Sequence, residues 1–101
     1  MTETDIANAL GLQTEAGRRA LSVMLLNVKL LDDKQLDYGS RNISAFGELG
    51  VLVRCSDKIE RLKNLQKKGN PIHEGIHDSW QDLANYAVIA QLVHQNLWPN
   101  E

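Results

Sequence analysis

With 101 residues, the chain has room for one domain and little more. Its net charge of −2, spread over interleaved acids and bases, excludes the basic stripe that a nucleic-acid polymer would require. A single cysteine, Cys55, excludes an intrachain disulfide and leaves a Cys/His zinc site without its second thiol.

What remains is a single helical domain over residues 1–101, with 1–13 as an N-terminal segment. No stretch alternates as a strand would, and Gly and Pro cut the chain into helical pieces. Thr4 or Asp5 is placed to cap a short helix that stops at Gly11. Thr14 caps a second helix running to about Gln35, which the turn Asp37-Tyr38-Gly39-Ser40 ends. Its stripe of Leu21, Met24, Val28 and Leu31 is widened by Leu25, Leu26 and Leu30. A helix apolar nearly all round must be covered on more than one side, which in a chain this short implies an oligomer.

Asn42 to Gly50 reads as a loop with one helical turn, capped by Ser44 and weakened by Gly47 and Gly50. A third helix follows from about Val51 to Lys68, with Leu52, Cys55, Ile59 and Leu62 inward and lysines at its end. Gly69-Asn70-Pro71 stops it. A fourth runs from about Ile72 to Leu97, before Pro99, with Ile76, Trp80, Leu83, Ala87 and Val88 inward. The expected fold is all-α: a small bundle of three main helices plus a short N-terminal one. Residues 1–10 carry Glu3 and Asp5 and lack the basic flank and apolar run of a secretory leader. The stretch from Ala20 to Leu31 is too short and too polar to span a bilayer. No membrane partner is therefore expected.

Three places can carry chemistry. On the fourth helix Glu74, Asp78 and Asp82 recur at i, i+4, i+8 and share one face, which Asn85 extends. Like charges at this spacing cost about 0.2–0.5 kcal/mol per pair, so something must compensate them. Mg²⁺ would do so, and so would basic side chains from another helix. The third helix offers such a face in Arg54, Asp57, Lys58 and Arg61. Together the two faces would supply carboxylates for a metal and cations for phosphate; a solvated surface laced with ion pairs would show the same pattern. Asp82 and Asn85 lie amid Leu83, Ala84, Tyr86, Ala87 and Val88, and polar groups that close to a core need partners.

The second place is the segment from Lys34 to Asn42. Gly39 permits close backbone approach, Tyr38 can stack on a base, and Lys34 or Arg41 can meet a phosphate. The third is His73 with His77 and Asp78. Two histidines at i, i+4 suit one metal ion, but the only other histidine, His94, falls on the same helix, and further ligands are lacking. No Gly-rich phosphate loop is present: Gly47 and Gly50 match no such motif.

In chain order, Lys34-Gln35-Leu36-Asp37-Tyr38-Gly39, Asn42 with Phe46-Gly47, the run from Val53 to Leu65, and Glu74, Asp78, Asp82, Leu83, Ala84, Asn85 and Tyr86 resemble the nucleotide modification associated domain 1 family, found in phages and bacteria. The likeness spans residues 34–93. It implies a role in nucleotide or modified-base metabolism, in the cytoplasm (the host's, for a phage protein). The family is also similar to the all-α MazG-type nucleoside triphosphate pyrophosphatases, which bind Mg²⁺ between paired acids. On that likeness Asp57 with Glu60 and Glu74 with Asp78 would form the pairs. MazG-type enzymes favour a Glu pair first and an i, i+3 second pair, whereas here the first opens with Asp57 and the second is spaced i, i+4.

Three functions follow as expectations. The first is a Mg²⁺-dependent nucleotide pyrophosphohydrolase. Glu74, Asp78 and Asp57 would be catalytic; these three and Asp82 would hold the metal; Tyr38, Arg54, Lys58, Arg61 and Asn85 would bind substrate. The second is a non-catalytic binder that sequesters a nucleotide signal. The third is an oligomeric interaction module without a ligand.

Overall fold

The computed structural model describes residues 1–68 and 73–99, apart from the side chains of His73 and Glu74. It is all-α, with five helices and no strand among the described residues: α1 (Glu3–Ala9), α2 (Glu15–Tyr38), α3 (Arg41–Ser44), α4 (Gly47–Lys67) and α5 (His73–His94). The expected stop at Gly69-Asn70-Pro71 and the expected start at Ile72 lie outside the described residues. No described helix is long and apolar enough to cross a membrane.

Local chemistry accounts for most helix ends. Thr2, rather than Thr4 or Asp5, caps α1, in a reciprocal box with Asp5. Thr14 caps α2 by accepting from the Gly17 N–H at 2.9 Å. At the far end Gly39, with φ of 70°, turns the chain out of α2 and into α3. The expected loop is largely helical: α3 takes Asn42 to Ser44 of it, and α4 starts at Gly47 rather than Val51. Gly50 does not break α4. A side chain there would collide with Phe46, so glycine is what lets the first turn form.

Helices α4 and α5 form an antiparallel hairpin. His94 near the end of α5 meets Glu48 near the start of α4 at 3.2 Å, while Gly75 at the other end lies against Arg61 and Leu65. The inward faces match those expected only in part: Leu62 is buried and Cys55, Ile76 and Leu83 are half-buried. On α4, Val51, Leu62 and Leu65 are buried, while Leu52 and Ile59 face solvent. On α5, Ser79 and Ile89 are buried, whereas Trp80, Ala87 and Val88 are exposed. The small residues decide this. Gly75 and Ser79, whose hydroxyl donates to the Gly75 carbonyl at 2.7 Å, let the helices approach closely on that side.

Ile43 of α3, Val51 and Ile89 make the core cluster, ringed by Leu31, Cys55, Tyr86, Ala90, Val93 and Trp98. Cys55 thus packs beside the core, and burial pushes its thiol pKa up. Trp98 returns over α3 and donates its indole N–H to the Ser40 carbonyl at 3.0 Å. Trp98→Phe is expected to cost about 1–2 kcal/mol through the lost hydrogen bond and lost volume, read as a lower midpoint in thermal unfolding. In contrast, α2 buries no residue at all, and Met24 and Val28 of its expected inward stripe are more than half exposed.

Candidate functional site

The C-terminal half of α2, α3, α4 and α5 enclose a cleft of about 340 Å³. Its apolar floor is Leu31, Ile43 and Ile89, so it opens directly onto the core. Its polar wall is built from single turns of three helices. Lys34 and Tyr38 stand one turn apart on α2, Arg54 and Lys58 one turn apart on α4, and Asp82, Asn85 and Tyr86 follow on α5.

Asp82 is the centre of this wall. Its Oδ1 accepts from the Lys34 ammonium at 2.7 Å and its Oδ2 from Lys58 at 2.9 Å, with the carboxylate side chain only 15% exposed. Burial alone would raise its pKa; the hydrogen bonds and charges of Lys34 and Lys58 outweigh that and hold it below the usual carboxylate value. Lys34 is held above the usual lysine value, chiefly by its hydrogen bond to Asp82. Asn85, buried, donates to the Asn27 carbonyl at 3.1 Å and ties α5 to α2. Arg54 donates to the Asn42 carbonyl at 3.3 Å. The Asn42 side-chain oxygen, also on the cleft, is buried with no hydrogen-bond partner among the described residues. Lys34, Arg54 and Lys58 against Asp82 leave the lining with a charge of +2, in a chain whose net charge is −2.

Of the residues singled out from sequence, Lys34, Tyr38, Arg54, Lys58, Asp82 and Asn85 converge here. Arg61 does not line the cleft; it is exposed and packs near Gly75. Asp57 and Asp78 are exposed and likewise outside the lining, and the Glu74 side chain is not among those described. Of the MazG-like acid pairs, Asp57 is exposed and Glu60 pairs with Lys63 at 3.2 Å on the surface, while the second pair involves Glu74, whose side chain lies outside those described. His77 is exposed too. The expected compensation of the acidic stripe by cations of another helix holds for Asp82, through Lys58 and Lys34. Gln35, Asn42 and Tyr86 join the site beyond those expected. The periodicity Asp82, Asn85, Tyr86, Ile89 was a readable signal for one of them.

The sequence model of the nucleotide modification associated domain 1 family matches residues 34–93. The chain belongs to this family. The matched region runs from the last turn and a half of α2 through most of α5, and every polar residue lining the cleft falls within it; of the lining only Leu31 lies outside. No curated protein and no solved structure matches the chain.

Proposed function

We propose that the cleft binds a nucleotide by its phosphates and holds it without hydrolysing it. The observation that carries this reading is the +2 charge of a small cleft whose whole polar wall belongs to a nucleotide-associated family region. Its volume is in the range of about 300–1,000 Å³ of small-ligand pockets and far below what a polymer groove needs. Arg54, Lys34 and Lys58 would meet phosphate oxygens, with the two lysines turning from Asp82 toward the ligand. Tyr38 at the rim offers a stacking face, and the unpartnered Asn42 oxygen offers an acceptor to a base or sugar donor. A cytoplasmic location goes with this reading.

The residues described do not suit Mg²⁺. Both oxygens of Asp82 are engaged by ammonium groups, and no three His, Cys, Asp or Glu side chains gather among the described residues. At this cleft, binding is therefore favoured over hydrolysis through a metal on Asp82. Calorimetry with a nucleoside and its mono-, di- and triphosphates tests the proposal. Affinity should rise with phosphate count and fall with added salt, and the bare nucleoside should bind at least about tenfold more weakly than its monophosphate. Equal binding of nucleoside and nucleotide, or no binding at all, would overturn it. Phosphorus NMR with Mg²⁺ present should show no turnover; release of pyrophosphate would restore the hydrolase reading.

A further inference from the structure

The hairpin of α4 and α5 has two sides, and the cleft occupies one of them. Arg54 and Lys58 of α4 and Asp82 and Asn85 of α5 line it there. The opposite side carries the apolar stripes that the hairpin does not bury: Leu52 and Ile59 on α4, Trp80 and Ala87 on α5, with Cys55 and Leu83 half-buried between them. The Glu48–His94 pair closes one end of this face, and Lys63 stands at the other. Between these ends the face holds no charged residue. No described residue covers it: Leu52 is 63%, Trp80 55% and Ile59 42% exposed.

We infer that the chain pairs with a second copy of itself, back to back through this face, so that the two hairpins make a four-helix bundle. The face suits a permanent partner, because loss of charge marks the closed core of an interface rather than its wet rim. It is two helices wide and about four turns long, roughly 20 Å each way. Two such corrugated faces together reach the roughly 1,000 Å² that a stable interface needs.

The face is also complementary to itself, which commits it to a second copy. The contacts Glu48–His94 and Lys58–Asp82 set the register of the hairpin. That register puts Leu52 toward one end of the face on α4 and Trp80 toward the other end on α5. A twofold axis standing on the middle of the face therefore lays each Trp80 on the copy's Leu52, each Ile59 on its Ala87 and each Ser56 on its Ala84. Trp80 and Leu52, both more than half exposed in one chain, cover each other, and small residues receive the rest. Both clefts stay open on the outer sides of the bundle. The pairing is thus independent of the nucleotide reading and is measured without ligand.

Sedimentation of the ligand-free chain across the micromolar range should give twice the 11.3 kDa chain mass. Leu52→Lys alone and Trp80→Glu alone should each weaken pairing at least about tenfold with helical circular dichroism retained, since each puts a charge into the apolar face twice. An equal mixture of the two should pair more tightly than either alone: the mixed dimer keeps one Trp80–Leu52 contact and sets Lys against Glu at the other. Cys55 gives a readout that needs no substitution. Its thiol, beside this face, should react with a maleimide at least about tenfold more slowly where the chain is paired than after dilution. Should a variant unfold, that rate decides. A wild-type chain of single mass at every concentration, a dimer that both variants leave intact, a mixture that pairs no better than its components, or a Cys55 rate independent of concentration would each overturn the inference.

Discussion

Replacing Lys58 by methionine is expected to weaken nucleotide binding by roughly ten- to a hundredfold, the loss of one charge-assisted hydrogen bond to phosphate. Methionine keeps most of the stem that packs along α4 while removing the ammonium group. The fold should survive, because Asp82 keeps Lys34 as a partner at 2.7 Å. The stability cost should be about 1 kcal/mol, the scale of a partly exposed ion pair. Lys63→Met is the matched control: Lys63 sits on the same helix, pairs with Glu60 on the surface, and lies outside the cleft. Titration calorimetry on the two variants decides the matter. Equal affinities in both would remove Lys58, and with it the cleft, from ligand binding.

Asp82→Asn should separate stability from binding. The substitution leaves two ammonium groups converging on a neutral amide. Removing one partner of a fully buried pair costs about 3–5 kcal/mol, and Lys34, half exposed, can swing away, so about 2–3 kcal/mol is expected here. In a domain of this size that lowers the thermal midpoint by about 10–20 °C. Phosphate affinity should move the other way, tightening about three- to tenfold at low salt, because the cleft loses its only negative charge. A carboxylate that held a catalytic metal would instead abolish activity without tightening binding, so the direction of the affinity change discriminates the two roles.

The same pair sets a pH window. Asp82 is depressed, so its contribution is present above the ordinary carboxylate value of 3.8 and is lost as pH falls through its lowered pKa. Lys34 is raised, so its contribution is present below 10.5 and is lost as pH rises through its raised pKa. Lys34 is the more exposed partner, and solvent screens its share. Denaturant titrations across pH should therefore show a steeper acid limb than alkaline limb for the wild type, and a flattened acid limb for Asp82→Asn.

The acidic and basic stripes show where reading from sequence reached and where it stopped. Arg54 and Lys58 were recognisable as a cationic face beside the acidic one, and Asp82 and Asn85 as polar groups too near apolar neighbours to be left unpaired. Asp57 and Arg61 belong to the same stripe as Arg54 and Lys58, and Asp78 to the same stripe as Asp82, yet all three rotate out of the cleft. A polar stripe covers a broad arc of a helix, and the neighbouring helix touches only part of that arc. Similarly, the expected stripe of Leu52, Ile59 and Leu62 competed for the inward side of α4 with Val51, Leu62 and Leu65, the residues that are buried. Both sets are apolar at helical spacing, so periodicity could not choose between them.

By itself the sequence determined the helical class, the cap at Thr14, the turn at Gly39 and the family region, because each of these depends on composition or on residues a few positions apart. The tertiary structure alone decided the rotation of α4 and α5 about their axes, through the close approach at Gly75 and Ser79. It alone also brought Lys34 to Asp82, 48 residues away. Local patterning records what each helix can bury; which side it does bury is set by the partner against which it packs.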